Sequence, residues 1–265
     1  MFLFFKGQGA VSMTSTLFIT GATSGFGAAT ARRFAKDGWS LVITGRREDR
    51  LSALAEELSA HTDVHPIVLD VRDRAAVEAA VNDLPEAFST LRGLVNNAGL
   101  ALGTTPAQQC DLDDWDTMVD TNIKGVLYCT RLLLPRLIAY GAGAGIVNLG
   151  SVAGNWPYPG SHVYGATKAF VKQFTLNLRC DLQGTGVRVT NIEPGLSETE
   201  FSVVRFGGDK SKADAVYAGT DPLTPDDIAE SIHWALNQPK HVNINRIELM
   251  ATCQAWNGFN IHRQE

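Results

Sequence analysis

Cysteine is scarce in this chain and scattered. Among 265 residues there are four (Cys110, Cys129, Cys180 and Cys253), and no two stand in a C-x-x-C spacing. That pattern argues against a disulfide framework and fits reduced thiols in a cytoplasmic protein. The six histidines form no H-E-x-x-H and no paired spacing, so no metal is expected. Positive charge is not in excess: the net charge of -5 gives no electrostatic reason for a nucleic-acid partner. Long apolar runs are missing too. Phe2, Leu3, Phe4 and Phe5 are cut off by Lys6 and Gly7, too short a run for a membrane span. They also lack the basic-then-apolar order of a signal peptide. Residues 1–12, ahead of Met13, read as an extension outside the fold. No linker-like stretch and no internal repeat follows, so 13–252 reads as one domain and 253–265 as a tail.

What is present is a steady alternation. Short β-branched apolar runs at 16–20, 41–44, 64–69, 94–96, 145–149, 187–192 and 244–250 predict seven strands. Between them lie segments of helical period at 26–37, 49–60, 74–82, 112–140, 164–182 and 225–236. Strands and helices alternating at this spacing build right-handed β-α-β units. The expected fold class is therefore α/β: a single-domain, Rossmann-type, doubly wound parallel sheet of about seven strands with helices on both faces. The rhythm breaks only at 196–220, a polar, glycine-containing stretch after a strand end. A long connection at that edge of the sheet is where a substrate lid sits.

The chemistry-bearing motifs sit at strand ends. TGATSGFG, from Thr20 to Gly27, follows the first strand and opens the first helix. Its glycines permit a tight turn, and the helix start offers N–H groups and a positive dipole end to a pyrophosphate. Gly21, Thr23, Ser24, Gly25, Phe26 and Gly27 are the candidate phosphate-binding residues. The second strand ends Gly45-Arg46-Arg47, with no acid between Ser40 and Arg47 to accept from a ribose 2′-hydroxyl. Two guanidiniums there suit a 2′-phosphate, which selects NADP(H) over NAD(H). A solvated basic helix start is the competing reading. Asn96-Asn97-Ala98-Gly99 ends the fourth strand. Tyr164 and Lys168 stand at i and i+4 on one helix face, and Ser151 lies thirteen positions before Tyr164, directly after the fifth strand.

Taken together these motifs resemble the short-chain dehydrogenase/reductase family over about 16–250, through T-G-x-x-x-G-x-G, N-N-A-G, S…Y-x-x-x-K and P-G. The resemblance implies a catalytic set of Asn122, Ser151, Tyr164 and Lys168. It implies cofactor contacts from Asp70 and Val71 at the adenine, and from Asn97, Ala98 and Gly99 along the inner edge. Pro194, Gly195 and Thr199 would stand at the nicotinamide, with Tyr164 and Lys168 beside it. In that chemistry a hydride joins or leaves the carbinol carbon while a proton joins or leaves its oxygen. A free phenol titrates near about 10. Lys168 and the oxidised nicotinamide are expected to stabilise the phenolate of Tyr164. Ser151 would donate to the substrate oxygen as charge develops, and Asn122 would anchor a proton-relaying water.

A closer resemblance bears on substrate. NNAGLALG (96–103), Trp156-Pro157-Tyr158, Glu193-Pro194-Gly195-Leu196 and Asn260-Ile261-His262-Arg263-Gln264 are similar to the bacterial NADP-dependent 3-hydroxy acid dehydrogenases and sulfoacetaldehyde reductases. That implies a small anionic partner: sulfoacetaldehyde, malonic semialdehyde, or hydroxy acids such as serine and allo-threonine. The pair Ser161-His162 and a lid stretch one residue short at 196–201 depart from the 3-hydroxy acid group and leave room for a tetrahedral sulfonate. Arg205 on the lid is the candidate anion-binding residue, with a solvated surface arginine as the alternative. Asn155 and Trp156 are expected to line the pocket beside Ser151 and Tyr164, although a core tryptophan is the blander reading. The apolar tail with Trp256, Phe259 and Ile261 is expected to pack on its own or a neighbouring subunit, and a homo-oligomer is implied. Competing readings are a reductase of another carbonyl (a sugar, quinone or ketoacyl thioester) and a non-catalytic NADP(H) sensor.

Overall fold

A computed structural model describes residues 15–256. The expectations for 1–12, and those for Phe259, Ile261 and the rest of the tail beyond Trp256, lie outside the described residues.

Seven strands form one parallel sheet: β1 (Thr16–Ile19), β2 (Ser40–Gly45), β3 (Val64–Val68), β4 (Leu91–Asn96), β5 (Gly145–Leu149), β6 (Arg188–Pro194) and β7 (Arg246–Leu249), in the order β3-β2-β1-β4-β5-β6-β7. The order reverses between β1 and β4, and a crevice opens there at the carboxyl ends of the strands. Every predicted strand is present, most with ends shifted by a few residues.

Helices α1 (Gly25–Ala35), α2 (Glu48–Leu58) and α9 (Pro225–Leu236) cover one face, through Phe34, Leu51, Leu54, Leu58, Ile228 and Ile232 packed on Leu17, Ile19, Leu41 and Ile43. Helices α3 (Arg74–Asn82), α5 (Gly125–Tyr140) and α6 (His162–Asp181) cover the other, through Val77, Val81, Leu133, Leu137 and Leu178 against Phe18, Val42, Leu94 and Ile146. Leu17 and Phe18 fall in opposite cores because neighbouring strand residues point to opposite faces. Strands buried on both sides read as continuous apolar runs, which is how they stood out in the sequence. Helix starts are specified locally. Asp73 accepts from Ala76 N at 3.0 Å ahead of α3, and Thr224 with Asp227 closes a reciprocal capping box ahead of α9, with Pro225 in its first turn.

Two departures from the expected pattern concern the site. The helical stretch predicted over 112–140 is α4 (Leu112–Val119) and α5 joined by a π turn, Asp120–Lys124, in which Thr121 and Asn122 are buried. The lid at 196–220 holds two short helices, α7 (Phe201–Arg205) and α8 (Lys210–Ala215). The Tyr217 hydroxyl ties it together, donating to Ser197 O at 3.0 Å and lying 2.5 Å from Ser202 Oγ. Polar sequence there conceals order because side-chain hydrogen bonds, not an apolar stripe, hold it.

Candidate active site

At the carboxyl ends of β1, β4, β5 and β6 lies a cleft of about 490 Å³ that runs from Arg46, Arg47 and Asp70 to Ser151, Tyr164 and Lys168. Its first wall is the glycine turn. Gly21 (φ +69°) and Gly25 (φ +52°) are left-handed, and a Cβ on Gly21 would come within 2.9 Å of Ala98 Cα. The neighbouring strand end clamps this turn. Thr20 Oγ1 accepts from Asn97 N (3.0 Å) and Ala98 N (2.9 Å), while Asn97 Nδ2 donates to the carbonyls of Thr20 and Gly21, each at 2.9 Å. The Asn97 side chain is thus a brace for the turn. Ser24 precedes α1 without capping it through its side chain. The first-turn amides of α1 therefore face the cleft without a side-chain acceptor, which is the chemistry of a phosphate site.

Gly27 departs from its expected role. It lies beneath the turn, where a Cβ would overlap the Gly21 carbonyl, so it serves packing and does not line the cleft. Val71 lines the cleft and packs so closely on α5 that a Cβ on Gly125 would sit 2.6 Å from Val71 Cγ2. Asp70 accepts from Arg72, with Nη2 to Oδ2 at 2.6 Å, and that bond holds its carboxyl below the usual range. The two arginines differ. Arg46 is exposed on the cleft wall. Arg47 donates to Thr23 Oγ1 (2.9 Å), Ser24 Oγ (2.8 Å) and Glu200 Oε2 (2.8 Å), and Arg50 reaches the other oxygen of Glu200 at 2.6 Å. Glu200, on the lid, is a cleft residue that sequence reasoning missed. Its partners are 150 and 153 positions away, so no local pattern announces it.

At the far end Ser151, Tyr164 and Lys168 meet; Pro194, Gly195 and Thr199 also line the cleft, and Ser151 Oγ donates to the Pro194 carbonyl at 3.4 Å. Ser151 precedes a short turn, Val152–Gly154, and its Oγ accepts from Ala153 N at 3.1 Å. Lys168 Nζ donates to Leu149 O at 2.8 Å and stands 5.8 Å from the centre of the Tyr164 ring. Burial pulls the lysine down to about 8. Burial also pushes the Tyr164 phenol upward, opposed by a hydrogen bond with Ser151 and by the charge of Arg205. Two cations thus stand near the phenol: Lys168, which donates to the Leu149 carbonyl, and Arg205 on the lid.

Arg205 does not line the cleft, yet its guanidinium carbon lies 5.9 Å from the Tyr164 ring centre and 5.6 Å from that of Tyr158, whose hydroxyl accepts from Nη1 at 3.2 Å. Tyr158 and Phe201 (5.5 Å from the Tyr164 ring) are further residues that sequence reasoning did not place beside the phenol. Asn122 stays out of the cleft. Its Oδ1 accepts from Leu100 N at 2.9 Å, and its Nδ2 donates to Leu100 O (2.8 Å) and Thr167 Oγ1 (3.0 Å), bracing the wall behind Lys168. Asn155 and Trp156 correct the sequence reading. Asn155 points to Glu193, Glu248 and Lys172. Trp156 is 46 % exposed, donates to Glu248 Oε2 at 3.2 Å, and its ring centre lies 5.7 Å from that of Trp256. The turn after Ser151 carries both away from the cleft, because Gly154 is pressed against the α6 backbone at Lys168.

Comparison with known proteins agrees with this geometry. The short chain dehydrogenase family profile matches residues 15–206. The chain is 62% identical over 251 residues to sulfoacetaldehyde reductase 2 of Chromohalobacter salexigens, covering 95% of this chain and 100% of that protein. It is 56% identical over 252 residues to serine 3-dehydrogenase of Agrobacterium fabrum, covering 95% and 100%. A solved structure of the closed form of serine dehydrogenase complexed with NADP+ superposes with a TM-score of 0.90 at 50% identity, covering 94% of this chain and 100% of that one. By sequence, sheet order and cleft alike, the chain belongs to the short-chain dehydrogenase family.

Proposed function

We propose that the chain is an NADP(H)-dependent oxidoreductase that interconverts a short anionic aldehyde and its β-hydroxy alcohol, with sulfoacetaldehyde and isethionate as the favoured pair. The observation that carries the anionic preference is Arg205. A guanidinium held 5.9 Å from the ring of the acid/base tyrosine puts a fixed positive charge close to the phenol. The two sulfoacetaldehyde reductases of Chromohalobacter salexigens, at 62% and 61% identity, support the sulfonate over the serine 3-dehydrogenase at 56%. The second reading, malonic semialdehyde and 3-hydroxy acids such as serine, draws on that last relative and on the 52% identical NADP-dependent 3-hydroxy acid dehydrogenase of Escherichia coli.

The cleft suits the cofactor. A glycine wall that a Cβ would fill and the open amides of α1 accept a pyrophosphate. Arg46 and Arg47 flank the 2′-phosphate position, Asp70 and Val71 the adenine, and Asn97, Ala98, Gly99, Pro194, Gly195 and Thr199 the nicotinamide half. NADP(H), when bound, supplies the hydride. The protein's own work is proton transfer and charge control. In aldehyde reduction the Tyr164 hydroxyl gives its proton to the carbonyl oxygen, and Ser151 donates a hydrogen bond to that oxygen. Lys168 then favours the phenolate electrostatically. Burial favours the protonated phenol, the form that donates when the aldehyde is reduced.

The reading extends to a cytoplasmic homo-oligomer. No helix among the described residues is long and apolar enough to cross a membrane. The edge strand β7 and the exposed Trp234 of α9 border an open groove that suits a second copy. The test is the initial rate of NADPH consumption with sulfoacetaldehyde, malonic semialdehyde and a neutral aldehyde of equal size. Preference for sulfoacetaldehyde in kcat/KM supports the main reading, and preference for malonic semialdehyde replaces it with the second. Equal use of the neutral aldehyde removes the anionic assignment.

A further inference from the structure

Asn155 stands at the end of the turn that Ser151 begins, and its carboxamide joins three elements of the site. Nδ2 donates to Glu193 Oε2 at 2.6 Å and to Glu248 Oε2 at 2.7 Å, and Oδ1 accepts from Lys172 Nζ at 2.7 Å. Glu193 is the last residue before Pro194-Gly195 and is only 1 % exposed. Its carboxylate also accepts from Asn191 Nδ2 (2.5 Å) and from Arg246 Nε (2.9 Å) and Nη2 (2.6 Å). Lys172 lies one turn beyond Lys168 on α6. The strand end carrying Pro194-Gly195, the helix carrying Tyr164 and Lys168, and the turn carrying Ser151 are therefore tied at one side chain.

We propose that Asn155 is the positioning residue for Ser151, holding its hydroxyl in register with Tyr164 and with the Pro194-Gly195 wall. Ser151 Oγ itself accepts from Ala153 N at 3.1 Å and donates to Pro194 O at 3.4 Å, and the Asn155 tie secures the turn that carries it. A Cβ on Gly150 would come within 2.8 Å of the Asn191 carboxamide, and one on Gly154 within 2.7 Å of the Lys168 carbonyl carbon. Glycine on both sides of Ser151 lets the turn settle deep between β6 and α6, but glycine supplies no side chain to hold it there. Asn155 supplies it. The role requires an amide: two N–H bonds serve two carboxylates and one oxygen serves an ammonium, which uses the group's donors fully. An aspartate would set a third carboxylate against Glu193 and Glu248. An alanine would leave the buried Glu193 carboxylate without one of its donors.

The role rests on the reductase reading, so the test has one arm that needs turnover and one that does not. The first is a double-mutant cycle of Asn155→Ala and Ser151→Ala, read as the single-turnover rate of NADPH oxidation by sulfoacetaldehyde in stopped flow. Losing position without losing the fold costs about tenfold when Ser151 is present. In the Ser151→Ala background the same change costs less than about twofold, because there is no hydroxyl left to misplace. NADPH affinity, by fluorescence titration, stays within about twofold of the unaltered chain. In the second arm, hydrogen exchange of the 151–155 amides quickens in Asn155→Ala while that of β1 and β2 is unchanged. Equal losses in both backgrounds, or an unaltered rate, overturn the proposal. If Asn155→Ala does not fold, Lys172→Met removes the Oδ1 partner and runs through the same cycle, with about threefold expected in place of tenfold. No turnover by the unaltered chain with any aldehyde counts against the reductase reading, and the exchange arm then decides the positioning role by itself.

Discussion

The two ends of the cleft are built by different means. At the cofactor end the glycine turn is a local structure: it lies within eight consecutive residues, Thr20 to Gly27, and one neighbouring strand end clamps it through Asn97. The substrate end is assembled from distant pieces. Arg205 comes from the lid, Tyr158 from the connection after β5, and the Gly103 carbonyl, which accepts from Arg205 Nε at 3.4 Å, from the connection after β4. A local motif tolerates little change because each residue has a backbone duty. A dispersed one can exchange side chains singly, so its shape and charge can change without disturbing the rest of the cleft.

The largest expected effect tests the common centre. Tyr164→Phe removes the proton donor and should lower turnover by about a thousandfold while NADPH binding persists. A chain that bound NADPH but showed no turnover before the change would instead be a sensor. Next comes the local end. Gly27→Ala sets a methyl group against the Gly21 carbonyl, and such overpacking costs about 1–3 kcal/mol, visible as a lower Tm and weaker NADPH binding together. At the dispersed end, Arg205→Ala should raise KM for anionic aldehydes by about tenfold or more, with NADPH affinity unchanged and neutral aldehydes affected much less. An unchanged KM would take Arg205 out of the site and erase the contrast between the two ends. Glu200→Gln has the smallest effect. It frees Arg47 and Arg50, both more than a third exposed, so stability changes by less than about 1 kcal/mol. NADPH should bind a few-fold tighter, about twofold to fivefold, because a carboxylate leaves the 2′-phosphate position. NADH should not respond.

Lys168 adds a pH test. Its pKa in the folded protein, about 8, lies below the ordinary lysine value. The unfolded chain therefore holds the extra proton between about 8 and 10.4, and stability should rise with pH across that window. Lys168→Met should flatten that rise in pH-dependent denaturant unfolding. A slope of equal size in the variant would assign it to another group.

The same contrast explains what was legible beforehand. The strands were, because parallel strands buried on both faces leave continuous apolar runs, and Ser151, Tyr164 and Lys168 were, because each stands at a fixed offset from a strand or along a helix. Asn155 was placed in the substrate pocket because it follows Ser151 closely. A one-residue rotation of the turn decides which way it points, and Gly154 against the α6 backbone sets that rotation. The roles of Glu200 and Tyr158 were not legible, for a different reason. Their partners are remote in sequence, and ordinary polar residues on a loop carry no periodic signal.

The π turn between α4 and α5 has a consequence for how the chain tolerates insertion and deletion. A π turn holds one residue more than an α-helical turn needs. Deleting one residue from Asp120–Lys124 should leave a continuous α-helix, so the lesion need not unfold the domain. Because the extra residue is taken up within a single wider turn, its removal should keep α4 close to its present angle about the axis relative to α5. Met118, buried with Leu100 and Tyr164, would stay on the wall of the active site, and the loss would fall on the buried placement of Thr121 and Asn122. A single-codon deletion at this point should therefore yield a folded protein, whereas the same deletion within α5 would turn the rest of that helix by about 100° and break the core.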